Sequence, residues 1–139
     1  MLVKHLIAGF TRESSDVRGL RLYVRPIDSA DVPAVSAFLA RHAAGAPPPA
    51  WGLLGKLLGD IVAVVALEVT DDALRVDDIV VARELRRKRI GRAMLREVEQ
   101  LAAKFERDRV VVADAGDAQE FFRRVGFENE GQQWIRVVP

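Results

Sequence analysis

Between residues 83 and 96 the chain places seven basic side chains: Arg83, Arg86, Arg87, Lys88, Arg89, Arg92 and Arg96. A single glycine, Gly91, sits inside the cluster, which runs into a helical pattern, while an apolar run, IVV, precedes it. A strand, a tight turn and a helix start form a natural anion site. The first amides of a helix lack partners and carry a partial positive charge of roughly half an elementary charge. Arg86, Arg87, Lys88, Arg89 and Arg92 add full charges, Gly91 allows close backbone approach, and a pyrophosphate is the fitting guest. Two other readings compete: a solvated basic helix start, and a nucleic-acid patch. The latter calls for aromatic rings to stack on bases, and none lies between 83 and 104.

Other reactive types are scarce. There is no cysteine, so thiolate zinc sites, disulfides and a cysteine nucleophile are excluded. The two histidines, His5 and His42, lie far apart, which argues against a histidine metal site; no metal is expected. His42 falls on the apolar face of a helical pattern and reads as a packing residue. Glu68, Asp77 and Asp78 are the acids on apolar, strand-like stretches near the basic turn.

The elements that must position these groups follow from periodicity. LRLYVRPI, residues 20–27, alternates as a half-buried strand. Asp28 or Ser29 then caps a helix in which Val32, Val35, Phe38, Leu39 and His42 share a face, with Gly45 as a stop. GAPPPA, residues 45–50, is a loop, because three prolines remove backbone donors. Two apolar runs around Gly59-Asp60 read as a hairpin, the second apolar on both faces and therefore central. ALRVDDIVV, residues 73–81, completes a three-strand meander. From Ile90 to Phe105 an apolar stripe marks a long helix, and RVVVAD, residues 109–114, is a buried strand. Asp117 is expected to cap a short helix ending at Gly126, and WIRVV, residues 134–138, is a last strand. The order β-α-βββ-α-β-α-β is that of an α/β protein with a mixed central sheet flanked by helices. The strand–helix–strand unit from 74 to 113 should hold a parallel pair.

With 139 residues, one domain over 20–139 is expected, preceded by an extension over 1–19 that packs on the domain or on a neighbouring subunit. Half the residues are hydrophobic and 29% are charged, as in a globular protein. The net charge of +1 provides no global field to recruit nucleic acid or a membrane. No apolar run reaches the ~18 residues of a membrane helix, and a cytoplasmic location is expected.

IVVARELRRKRIGRAML resembles the signature turn of the GNAT superfamily of N-acetyltransferases: a strand ending in Val, then Arg/Gln-x-x-Gly-x-Gly/Ala opening a helix. Val81 matches the strand end, Arg86 the Arg/Gln, Arg89 the first glycine and Gly91 the second. GDAQEFFRRVGF is similar to the superfamily's second segment, Asn-x-x-Ala-x-x-Phe-Tyr-x-x-x-Gly-Phe, with Ala118, Phe121, Gly126 and Phe127 in register. The resemblance implies acetyl-CoA as co-substrate and acetyl transfer to a primary amine of a small molecule or a protein. It places the pantetheine along the backbone of Val80 and Val81 and the pyrophosphate on Arg86, Arg87, Lys88, Arg89, Ile90, Gly91, Arg92 and Ala93. The usual thiolate-protonating tyrosine falls at Phe122, within reach of the cofactor but without a proton, and the usual asparagine at Ala115. Arg89 would cost around 1 kcal/mol if its position needs positive φ, offset if its guanidinium meets a phosphate. Asp78 is the first choice of general base, followed by Asp77 and Glu68. The Pro-rich loop stands where related proteins cover the acceptor cleft, and Trp51 is a residue of that cleft or of the core. A homodimer is a candidate assembly. A second reading stays open. RRKRIG, VVADAGD and GFENEGQQW look somewhat like an acetyltransferase-like factor that promotes maturation of bacterial aspartate decarboxylase. This resemblance implies a catalytically weak regulator that binds acetyl-CoA or CoA and acts through a protein partner.

Overall fold

The computed structural model describes the backbone of residues 12–17, 20–86 and 89–139, with side chains from residue 21 onward in those ranges. Strands β1 (Arg12–Val17) and β2 (Leu20–Pro26) lead to helix α1 (Val32–His42). A meander of β3 (Gly52–Leu57), β4 (Asp60–Val69) and β5 (Leu74–Val81) follows. Helix α2 (Ile90–Lys104), strand β6 (Arg109–Val112), helix α3 (Gln119–Arg124) and strands β7 (Glu128–Glu130) and β8 (Gln133–Val137) complete the chain. The eight strands form one sheet in the order β1-β2-β3-β4-β5-β6-β8-β7. Every neighbouring pair is antiparallel except β5 and β6, which are parallel on either side of α2.

Helices cover both faces. On one face α2 buries Met94, Val98 and Leu101 against Leu22 and Val24 of β2, Val65 and Leu67 of β4, and Val110 and Val112 of β6. On the other, Val35, Phe38 and Leu39 of α1 pack on Leu54, Val64 and Val80. Strand β4 is thus covered on both sides, as its continuous apolar run dictates. The turn between β3 and β4 is Leu58-Gly59, both at positive φ (51° and 86°), as a two-residue hairpin requires, and Asp60 already belongs to the strand.

The entry to α1 is more elaborate than a single cap. Asp28 accepts from the Ala30 amide, and Asp31 accepts from the Asp28 amide, closing a capping box around a short 3₁₀ turn, Ser29–Asp31. Arg25 grips Asp31 with two bonds of 2.6 Å, and that hydrogen bonding, ahead of the opposing burial, holds the Asp31 carboxyl down at about 2. The cap expected at Asp117 does not form. Residues Gly116–Ala118 make a 3₁₀ turn, α3 starts only at Gln119 without a side-chain cap, and Asp114 accepts from the Gly116 amide instead. Strands β1 and β7 were not foreseen. RESSDV and ENE are polar, so no apolar alternation marks them at the sheet edges.

Candidate active site

The site is organised by a defect in β5. Its pairing with β4 runs Ala66↔Asp78 and then Leu67↔Val76, leaving Asp77 as an extra, bulged residue. A one-residue bulge reverses which face each later residue presents. Before it, Leu74 and Val76 point to the α2 side; after it, Ile79 and Val81 do, while Val80 turns to the α1 side. The bulge also marks where β5 leaves β6. The parallel pairing runs Leu74↔Val110 to Val76↔Val112 and stops, so the backbone from Asp77 to Val81 has no strand on that side.

The splayed strand end opens a cleft of about 480 Å³ between β5, the start of α2 and helix α3. Ile79, Val81, Leu85 and Phe121 form its apolar wall, and Arg86, Arg89, Arg92 and Arg124 its basic one. At its inner end α2 is preceded by its N-cap residue, Arg89, which makes no side-chain cap and has φ at 68°, the left-handed region. Within the helix the first backbone bond is from the Ala93 amide to the Arg89 carbonyl at 3.0 Å, which leaves the amides of Ile90, Gly91 and Arg92 without i−4 partners. Gly91 has ordinary helical φ; its need is space, because a Cβ there would stand 3.0 Å from Cζ of Phe121. The glycine therefore lets the ring of α3 lie against the first turn of α2.

The other residues of the predicted cradle divide. Arg86 lines the cleft, its Nε and Nη2 reaching the carbonyls of Val81 and His42 over long contacts of 3.4 Å each. Arg87 and Lys88 lie outside the described residues. The side chains of Val80, Ile90 and Ala93 are buried in the core, so only their backbone is available to a ligand. Phe122 is buried too, edge-on to Phe121 and Phe127 with centroids 5.1 and 5.3 Å away, and does not line the cleft. The aromatic ring in the cleft is Phe121, one residue earlier.

On the opposite face of the same strand lies a second cleft of about 690 Å³. Leu39 of α1, the proline loop 47–49, Trp51 and the predicted acids Glu68, Asp77 and Asp78 line it. In a regular strand two consecutive side chains point apart; the bulge is what brings Asp77 and Asp78 to one cleft. Arg75 binds Asp77 through Nε at 2.6 Å and Glu68 through Nη2 at 2.9 Å. Those partners, the hydrogen bond to Asp77 foremost, raise the Arg75 pKa and keep it cationic. Asp78 has no ion pair among the described residues; its Oδ1 accepts from the Ile79 amide at 2.9 Å. Trp51 packs on Phe105 with ring centroids 5.8 Å apart, so it serves both core and cleft. Its buried indole N–H has no hydrogen-bond partner among the described residues.

His42 is structural. Its ring is buried against Phe38, and Nδ1 accepts the backbone N–H of Arg83 at 3.1 Å, tying the end of α1 to the turn after β5. A nitrogen that accepts an N–H carries no proton, so the imidazole proton sits on Nε2. The cleft residues not assigned to the cofactor from sequence are Ile79, Leu85, Ala118, Phe121, Arg124 and Val125. A sequence signal existed for Ile79. The apolar phase of LRVDDIVV shifts from even to odd positions across the two aspartates, as a bulge there demands.

Among the described residues no helix is long and apolar enough to cross a membrane. The family model described as the acetyltransferase (GNAT) domain matches residues 51–129, more than half of the chain. A search of curated proteins finds no match to the sequence. Among solved structures, the chain is similar to the GNAT domain of S. lividans PAT, at 16% identity and a TM-score of 0.75, covering 94% of this chain and 98% of that one. It is similar to the GNAT family N-acetyltransferase YhbS of Escherichia coli, solved in complex with CoA, at 19% identity and a TM-score of 0.70, covering 86% and 83%. It is also similar to the ribosomal-protein-S18-alanine N-acetyltransferase of Escherichia coli, at 14% identity and a TM-score of 0.70, covering 84% and 94%. At these identities the likeness carries the fold, and together with the family match over strands β3 to β7 it places the chain among the GNAT acetyltransferases.

Proposed function

We propose that the protein binds acetyl-CoA in the cleft between β5, α2 and α3 and transfers the acetyl group to a primary amine held in the cleft on the other face of β5. The observation that carries this reading is the bulge at Asp77, which gives one strand a vacant backbone edge toward a basic cleft and a pair of carboxylates toward another. Acetyl-CoA supplies the acetyl group as a thioester. In this reading its pyrophosphate lies on the amides of Ile90, Gly91 and Arg92, flanked by Arg86 and Arg89, and its pantetheine follows the free edge of β5. Arg87 and Lys88 belong to the same cradle by sequence.

The acidic lining of the second cleft favours an acceptor that arrives as an ammonium ion. Such an amine must lose a proton to become a nucleophile, and Asp78 is the base best placed to take it, directly or through water. Asp77 and Glu68 hold Arg75, so their charge is spent on that pair, whereas Asp78 Oδ2 is uncommitted among the described residues. The amine would enter beneath the proline loop, past Trp51.

Calorimetric titration with acetyl-CoA, followed by thiol release over a panel of amines, tests the reading; absence of binding would remove it. A second reading, a regulator that binds acetyl-CoA or CoA without efficient turnover and acts through a protein partner, draws support from Phe122. That residue is buried and has no hydroxyl to protonate a leaving thiolate, and Tyr23, the chain's one tyrosine, is half exposed on β2. Binding without thiol release for any amine would favour it.

A further inference from the structure

The basic cleft does not end at the helix start. Arg92 and Arg124 line it, and both also line a shallower cavity of about 270 Å³ that continues outward between α2 and the end of α3, over Leu95, Gly126 and Arg136. The one carboxylate there, Glu99, is engaged by Nε of Arg136, whose Nη1 also donates to the Val125 carbonyl at 3.3 Å. Among the described residues Arg92 and Arg124 have no carboxylate partner, although Glu120 is near in sequence; Glu120 pairs with Arg123 instead. Two uncompensated guanidinium groups thus flank the junction of the two cavities, beyond the amides assigned to a pyrophosphate. Guanidinium pairs of this kind suit a phosphate monoester, whose dianion accepts several charge-assisted bonds.

We infer that Arg124, with Arg92 beside it, forms a second phosphate subsite that reads the ribose 3′-phosphate of CoA, so that the protein distinguishes CoA from dephospho-CoA. The inference rests on the CoA reading above. The pyrophosphate is common to both ligands, and only the monoester differs. Arg124 is solvent-exposed at the end of a short helix, so its replacement by glutamine leaves the core intact.

The test is calorimetric titration of the wild type, Arg124→Gln and Arg92→Gln with CoA and with dephospho-CoA. The wild type should bind CoA about tenfold more tightly, the worth of one or two charge-assisted bonds at an exposed site. Arg124→Gln should collapse that preference by weakening CoA far more than dephospho-CoA, and Arg92→Gln should reduce it. Equal wild-type affinities would overturn the inference and leave the CoA reading standing. So would an Arg124→Gln variant that weakens both ligands alike, which would assign Arg124 to the pyrophosphate. Failure of CoA to bind the wild type would overturn both the inference and the reading beneath it.

Discussion

Arg89 offers the sharpest test of the turn, because its backbone and its side chain pull in opposite directions. Its φ of 68° is a conformation that costs an L side chain about 1 kcal/mol or more and costs glycine little. Arg89→Gly removes that cost but loosens the unfolded chain, which returns roughly 0.4–1 kcal/mol. The net gain in stability is therefore small, between about 0 and 1 kcal/mol, or at most ~4 °C in melting temperature for a domain of this size. Arg89→Ala keeps the left-handed cost and should melt at or below the wild type. Ligand affinity should move the other way. The guanidinium lines the basic cleft, and losing one charge-assisted contact to a phosphate is worth ~1.5 kcal/mol there, about tenfold in Kd. Thermal melts of the two variants, and their titration with CoA, read both effects. If Arg89→Gly binds CoA as tightly as the wild type, Arg89 does not repay its strain through a phosphate. If it melts well below Arg89→Ala, the strain itself is not there.

Three further outcomes follow from the same geometry. Asp78→Asn should lower thiol release from acetyl-CoA with an amine by at least ~100-fold, the usual contribution of general-base catalysis, with CoA affinity unchanged; Asp77→Asn should act more weakly, and the reverse order would move the base to Asp77. Arg86→Ala should weaken CoA binding several-fold, since the side chain bridges the Val81 and His42 carbonyls at the mouth of the cleft; unchanged affinity would remove Arg86 from the cradle. Asp31, held at about 2 against an ordinary 3.8 by Arg25, stabilises the fold above that ordinary value and loses its contribution as pH falls toward 2. A shift of that size is ~2.4 kcal/mol at most, reduced to about 1 kcal/mol because the Arg25 side chain is a third exposed. Melts of Asp31→Asn should therefore lie below the wild type near neutrality and converge with it in acid; a constant gap would exclude the linkage.

Legibility in the sequence tracked burial. The central strands and α2 announce themselves because Val64, Val65, Met94 and Leu101 must be covered, and apolar spacing follows. The edge strands β1 and β7 are polar in sequence and left no such mark. The caps were legible where the capping group is adjacent, as at Asp28, but not at Asp117, where an intervening 3₁₀ turn moves the helix start to Gln119. Within the site, the turn was readable because its charges and Gly91 are contiguous. Phe121 and Arg124 were not assigned to the cleft, because α3 reaches it through a tertiary approach that spacing along the chain does not encode. Gly91 provides a close approach, but to the ring of Phe121, and the positive φ weighed for Arg89 is found there.

The extra residue at Asp77 links these observations into one device. In a regular strand Asp77 and Asp78 would face opposite sides of the sheet. Three features meet at the inserted residue. The parallel ladder stops at Val76, where β6 itself ends at Val112, the outer backbone edge from Asp77 to Val81 is left without a strand partner beside the basic cleft, and both aspartates turn toward the other cleft. A ligand bound along the free edge and an amine beside Asp78 would then be separated by little more than the thickness of one strand. Deleting Asp77 should restore a regular strand and take one carboxylate out of the second cleft. The chain would retain its core, because Asp78 would then follow Val76 and leave Ile79 and Val81 on the α2 side and Val80 on the α1 side, where they already lie. The expected result is a folded protein whose straightened edge binds CoA more weakly. A deletion variant that still binds CoA with wild-type affinity would show that the free edge of β5 is not where the cofactor lies.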